Sequence, residues 1–331
     1  MKKGLLLVIL ILLLLCWTAT GAYSESRDHE LTLEKAEEGD ANAQLSMGIR
    51  YENGQAVPLN DIAAVKWYRK AAEQGHPEAQ CRLGIMYDLG QGVSQNDTEA
   101  LKWYREGARQ ANPWAQLHLG RMFDLGNGVA VDDAEAVRWY RKASEQGNAE
   151  AQFNQGMMYR DGEGVKKSAG EASKWFQMAA EQGNADAQFA LGEMCDRGAG
   201  IPADPSAAVK WYKKAAEQGH PHAQYNLGIL YEKGRGTARD YVEAVKWYSK
   251  SAEWGVAGAQ FELAYCYGTG TGTPIDYIKA YAWYSLAAGQ GKQLAAENIA
   301  VIEMKMTDEQ IENARAMALK LWKMAGKKLS K

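Results

Sequence analysis

Five histidines, His29, His76, His118, His220 and His222, are the side chains best suited to proton transfer or metal binding in this chain of 331 residues. None falls in His-Glu-x-x-His, and no Cys-x-x-Cys accompanies them. His220 and His222 lie two residues apart, which is a weak metal signal; His76 and His220 each precede a proline, which reads as an interhelix loop. A serine activated by a lysine one helical turn away needs Ser-x-x-Lys, yet no serine here has a lysine three positions on, and Gly-x-Ser-x-Gly is absent. Gly-x-Gly recurs, as at Gly90 and Gly92, but no Gly-Lys-Ser/Thr follows it, so turn chemistry explains it better than a phosphate cradle. No catalytic, metal or cofactor-binding residue is assigned, and no cofactor is expected. Sequence alone leaves open a catalytic pair assembled from distant segments.

The order behind these residues is a repeat. Trp67, Trp103, Trp139, Trp175, Trp211, Trp247 and Trp283 are each separated by 36 residues, and an aromatic follows every one. Gln44, Gln80, Gln116, Gln152, Gln188, Gln224 and Gln260 keep the same step. An unbroken period of this length marks a solenoid or array.

One unit reads as two helices. In "PEAQCRLGIMYDLG", Ala79, Leu83, Met86 and Tyr87 form an apolar stripe of about three turns. Gly84 sits inside it at a cost of about 1 kcal/mol against Ala. Six of seven units keep that glycine, so a neighbour is expected to pass too close for a side chain. Gly90 and Gly92 then reverse the chain. A second helix is expected after Asp97, with Asp61, Asp133 and Asp240 as counterpart caps. In "DPSAAVKWYKKAAEQG", Ala208, Trp211, Tyr212, Ala215 and Ala216 form its buried stripe, and Gly219 ends it.

The stretch "AQCRLGIMYDLGQGVSQNDTEALKWYREGA" resembles the Sel1-like repeat, a relative of the tetratricopeptide repeat. The resemblance implies an all-α fold, a right-handed α/α solenoid of about seven 36-residue helix-turn-helix repeats with helical caps. Local departures are Ala56 for a turn glycine, Gln155 for a leucine and Cys195 for a tyrosine. The expected organisation is a signal peptide over 1–22, an N-terminal capping helix over 23–40, seven repeats over 41–291 and capping helices over 292–331. Thr307 and Gln310 make a capping box for the last helix.

The leader "MKKGLLLVILILLLLCWTATGA" orders lysines, then about thirteen apolar residues, then small residues, as a secretory signal does. Cleavage near Gly21 or Ala22 and a periplasmic or secreted location follow; an uncleaved anchor is the alternative. Leu15 and Trp17 around Cys16 do not suit lipidation. With Lys2 and Lys3 removed, net charge moves from −3 to −5, which offers no basic field for nucleic acid. Lys and Arg are spread through every repeat, which argues against a polybasic membrane patch. No membrane span is expected after cleavage. Cys81, Cys195 and Cys266 occupy three different repeat positions, so they read as buried thiols rather than a disulfide framework.

Where the copies agree they build scaffold, so function is sought where they differ. Two columns diverge: Ser46, Arg82, His118, Asn154, Ala190, Asn226 and Glu262, and three residues on, Ile49, Ile85, Arg121, Met157, Glu193, Ile229 and Tyr265. Positions three apart share a helix face. The resemblance implies that first helices line the concave wall. Arg82, His118, Arg121, Asn154, Met157, Asn226 and Tyr265 are the candidate partner-binding residues. The expected function is a non-enzymatic scaffold of the bacterial envelope, acting as a monomer on a protein or peptide. Some secreted family members are penicillin-binding or β-lactamase-like, so a cell-wall hydrolase is the alternative.

Overall fold

The structure is a computed structural model and describes residues 27–329, with side chains through residue 324. The leader, its cleavage point and Cys16 lie outside the described residues. Seventeen helices and no strand occur among the described residues. Helix α1 spans 27–37. Seven pairs follow: α2 Ala41–Asn53 with α3 Asp61–Glu73, α4 Pro77–Leu89 with α5 Asp97–Arg109, α6 Pro113–Leu125 with α7 Asp133–Glu145, α8 Ala149–Asp161 with α9 Ala169–Glu181, α10 Ala185–Arg197 with α11 Pro205–Glu217, α12 Pro221–Lys233 with α13 Tyr241–Glu253, and α14 Ala257–Thr269 with α15 Tyr277–Gly289. Helices α16 (Gln293–Glu303) and α17 (Asp308–Leu329) close the chain. No described helix is long and apolar enough to cross a membrane.

The described residues divide into two compact units, one of residues 27–151 with 163–166, the other of 152–162 with 167–329. Within each unit the first helix of a repeat packs on its own second helix, which packs on the next first helix. The internal glycine has a direct reason: a Cβ on Gly84 would lie 2.6 Å from the Tyr104 ring of the same repeat. The turn glycines have two. Gly90 closes α4 at φ +69°, and a Cβ on Gly92 would meet the Asp61 carbonyl of the preceding repeat at 2.3 Å.

The second aromatic of each pair is the more deeply buried. Tyr68, Tyr104, Tyr140, Phe176, Tyr212 and Tyr248 are at most 1% exposed. Trp211, expected in the core, is only half-buried, lying at the seam with the preceding repeat's cluster. Trp67, Trp139, Trp211 and the buried Trp247 carry Lys70, Lys142, Lys214 and Lys250 over their rings at 3.8–4.3 Å.

The periodic glutamine is an inter-helix clamp. Gln80 is buried; its Nε2 donates to the Ala72 carbonyl at 3.1 Å, and its Oε1 accepts from Gln110 at 2.8 Å. Gln44, Gln188 and Gln260 repeat both bonds. Buried amides need such partners, because a bare one costs about 1–3 kcal/mol. Trp254 stands where Gln224 would find its donor, and Gln224 Oε1 is buried without one.

The caps move by one residue from the expected places. Asn60, Asn96 and Asp132 cap α3, α5 and α7, and Asp61, Asp97 and Asp133 are the first helical residues; Asp240 caps α13 as expected. The shift follows from spacing: the capping side chain must reach the amide three residues on, Ala63, Glu99 and Glu135. His76 and His220 are caps too, accepting through Nδ1 from Ala79 and Ala223. Their Nε2 atoms reach back to Asn42 at 3.1 Å and Asp186 at 3.4 Å, tying each repeat to the one before. Thr307 and Gln310 form the expected capping box. Cys81, Cys195 and Cys266 are free and buried.

Candidate protein-binding face

Each first helix is buried on most sides, so its free surface is one narrow row. In α4 that row is Glu78, Arg82, Ile85 and Leu89, spaced by three or four residues. The row has two layers. The inner layer touches a network found in four repeats: the buried tyrosine of the second helix donates its hydroxyl to an acid near the end of its own first helix. Tyr104 bonds Asp88 at 3.2 Å, Tyr140 bonds Asp124 at 2.9 Å, Tyr248 bonds Glu232 at 2.5 Å, and Tyr68 bonds Glu52. Burial first, and the carboxylate beside it, raise these phenols far above their usual range, so each stays a donor.

The next repeat's divergent residue covers this network. Arg82 bridges Glu52 at 3.0 Å and Glu78 at 3.1 Å, with its guanidinium 5.9 Å from the Tyr68 ring centre. His118 stacks on Tyr104, centroids 5.0 Å apart and planes 9° apart. Desolvation, then Arg121, pull its pKa down to about 4. Asn226 hydrogen-bonds the Tyr212 hydroxyl. Packing therefore accounts for part of the divergence in this column. Arg82 is held between two carboxylates with a side chain 32% exposed, so reversing its charge would disturb the fold as well as the surface.

The outer layer is freer. Arg121 pairs with Glu150 at 3.2 Å on the surface. Tyr265 is 46% exposed. Met157 is half-buried against the Phe176 and Leu191 cluster, and Asn154 is half-buried. Arg82, His118 and Arg121 belong to the first unit and the other four to the second.

A groove of about 300 Å³ opens on this face in the first unit, lined by Glu78, Cys81, Arg82 and Ile85 of α4 and by Asn112 and Trp114 at the start of α6. Trp114 is 53% exposed, and Leu89, one turn beyond Ile85, is 61% exposed. An indole and an isoleucine beside an ion-paired Glu–Arg–Glu cluster suit an apolar side chain of a partner, rimmed by hydrogen-bonding groups. The Cys81 thiol is pushed up to about 12 by burial, so it stays protonated at neutral pH and is no nucleophile. Among the described residues no three His, Cys, Asp or Glu cluster as a metal site.

Trp114 escaped the sequence reading because only two columns were compared. Two residues before each clamp glutamine stand Asn42, Glu78, Trp114, Glu150, Asp186, His222 and Gly258. One indole in that mostly polar column is the signal.

Paired 13-residue helices in tandem define an α/α repeat protein. The Sel1 repeat matches residues 41–76, 77–112, 115–148, 149–184, 185–220, 221–255 and 257–292, and the chain belongs to the Sel1 repeat family. A Sel1 repeat protein of Oxalobacter formigenes is similar at 37% identity, over 85% of this chain and 81% of that one, with a TM-score of 0.67. The protein c5321, a protective antigen present in uropathogenic Escherichia coli strains, is similar at 31% identity, over 91% of this chain and 72% of that one, with a TM-score of 0.57. The comparison with curated proteins returned no match. Sel1 repeat proteins are generally protein-interaction scaffolds and typically non-catalytic.

Proposed function

We propose that this chain is a non-enzymatic scaffold of the bacterial envelope that binds a protein or peptide on the free face of its first helices. The observation that carries the reading is the groove beside Arg82, with Trp114 exposed in a column that is otherwise mostly polar. In this reading Arg121, Asn154 and Tyr265 meet the partner, while Arg82, His118, Met157 and Asn226 shape the surface through their contacts to the repeats. The leader composition supports removal near Gly21 or Ala22 and a periplasmic or secreted location. A protective antigen among the similar structures fits a chain that leaves the cytoplasm.

The test is capture of a partner from envelope extract, followed by its measured affinity. Trp114→Ala with Arg121→Glu is expected to weaken it at least tenfold, about 1.4 kcal/mol. Lys66→Glu with Lys102→Glu, on the second helices, is expected to change it little. Equal losses from both pairs would mean that only bulk charge matters. The mass of the chain recovered from the envelope reports whether the leader is removed or retained.

A further inference from the structure

Charge is spread evenly through the repeats but not at the end of the chain. Residues 315–331 hold Arg315, Lys320, Lys323, Lys327, Lys328 and Lys331 and no acid. The whole chain carries −3, so this segment is +6 and the remainder −9. The uniform distribution that argues against a basic patch describes the repeats and not this helix.

Helix α17 uses one face for the fold. Ala314 is fully buried, and Ala318 and Leu321 pack against the cluster of Tyr281 and Tyr284. Arg315 is occupied by Tyr281, Glu303 and Glu312. The opposite face is uncovered: Leu319 and Met324 are 57% and 51% exposed, and Trp322, on the flank beside Gly289 of α15, is 55% exposed. Ala316, Lys320 and Met324 form one row at four-residue spacing and Leu319 and Lys323 the next, and these five line a groove of about 310 Å³. Lys320 and Lys323 make no ion pair among the described residues.

We propose that α17 docks on an anionic lipid surface through Leu319, Lys320, Trp322, Lys323 and Met324. Charge complementarity selects the sign of the partner. The pattern selects its kind: apolar and basic residues interleave along both rows, so the face lacks the unbroken apolar seam that a partner helix needs. A fluid interface needs no register. Lysine stems can lie along the apolar side chains while their ammonium groups reach phosphates, and an indole suits the headgroup boundary. Each lysine near such a surface strengthens binding about fivefold.

The test is hydrogen exchange on the full chain with phosphatidylglycerol or phosphatidylcholine vesicles. A local readout is chosen because the apolar leader can itself enter lipid. Amides of α17 are expected to slow at least fivefold on phosphatidylglycerol and not on phosphatidylcholine. Lys320→Glu with Lys323→Glu, or the milder Lys320→Gln with Lys323→Gln if the first pair melts early, is expected to abolish the slowing, as is 0.5 M salt. Equal protection on both lipids, protection that survives the substitutions, or none at all overturns the proposal. Protection by polyglutamate but not by vesicles also overturns it, and assigns the face to an acidic protein.

Discussion

The second and fourth repeats fold alike but spend their interiors differently. In the second, Leu83 is fully buried, Tyr104 is fully buried, and its hydroxyl has Asp88 to accept it. In the fourth, Phe176 replaces the tyrosine and Arg160 stands where the acid would be, so donor and acceptor are lost together. In the seventh repeat only the acceptor is lost, Gly268 standing where the acid would face Tyr284. Gln155 is different. It takes the leucine's place, is 0% exposed, and neither its nitrogen nor its oxygen has a hydrogen-bond partner. One departure is compensated and the other is not.

The largest expected effect comes from emptying the aromatic site. Tyr104→Ala and Phe176→Ala are each expected to cost about 3–5 kcal/mol in chemical denaturation. Trp211→Ala, at a half-buried ring, is expected to cost less. If Trp211 costs as much as Tyr104, the distinction between core and seam aromatics fails.

Next is Gln155→Leu, expected to raise stability by about 1–3 kcal/mol, because it removes an unsatisfied buried amide from a site that leucine fills elsewhere. A lower melting temperature would mean that the amide is satisfied. The same reasoning at smaller scale applies to Trp254→Gln, which restores a donor to Gln224 Oε1 and is expected to add about 1 kcal/mol.

A pH dependence separates the repeats further. His118 is held neutral, with a folded pKa of about 4 against 6.5 unfolded. The unfolded chain therefore binds the extra proton first as pH falls. Stability is expected to decline between about pH 6.5 and pH 4, at up to about 1.4 kcal/mol per unit. His118→Gln is expected to flatten that part of the profile. An unchanged slope in this variant would place the dependence elsewhere.

The scaffold was legible because repetition amplifies it. The clamp glutamines, the internal glycine and the capping box each mark a contact that recurs or is local, so one chain contains its own comparison. Residue types could not show which of two adjacent aromatics is buried more deeply. Trp211 and Tyr212 share an apolar pattern, and only the second points at the glycine gap, where a Cβ on Gly192 would meet its ring at 2.5 Å. The face was half legible. Divergence located the columns of Arg82 and Arg121, but could not reveal that Arg82 is pinned by Glu52, 30 residues earlier, or that Trp114 shares its groove.

The central claim is that the first-helix face carries recognition while the second helices are scaffold. Its most direct test is a photo-crosslinking residue placed in turn at Trp114, Arg121, Lys66 and Lys102 in the protein within its native envelope. The account predicts one common crosslinked product from Trp114 and Arg121, and none from Lys66 or Lys102. Products from the second-helix positions alone, or equally from all four, would contradict it.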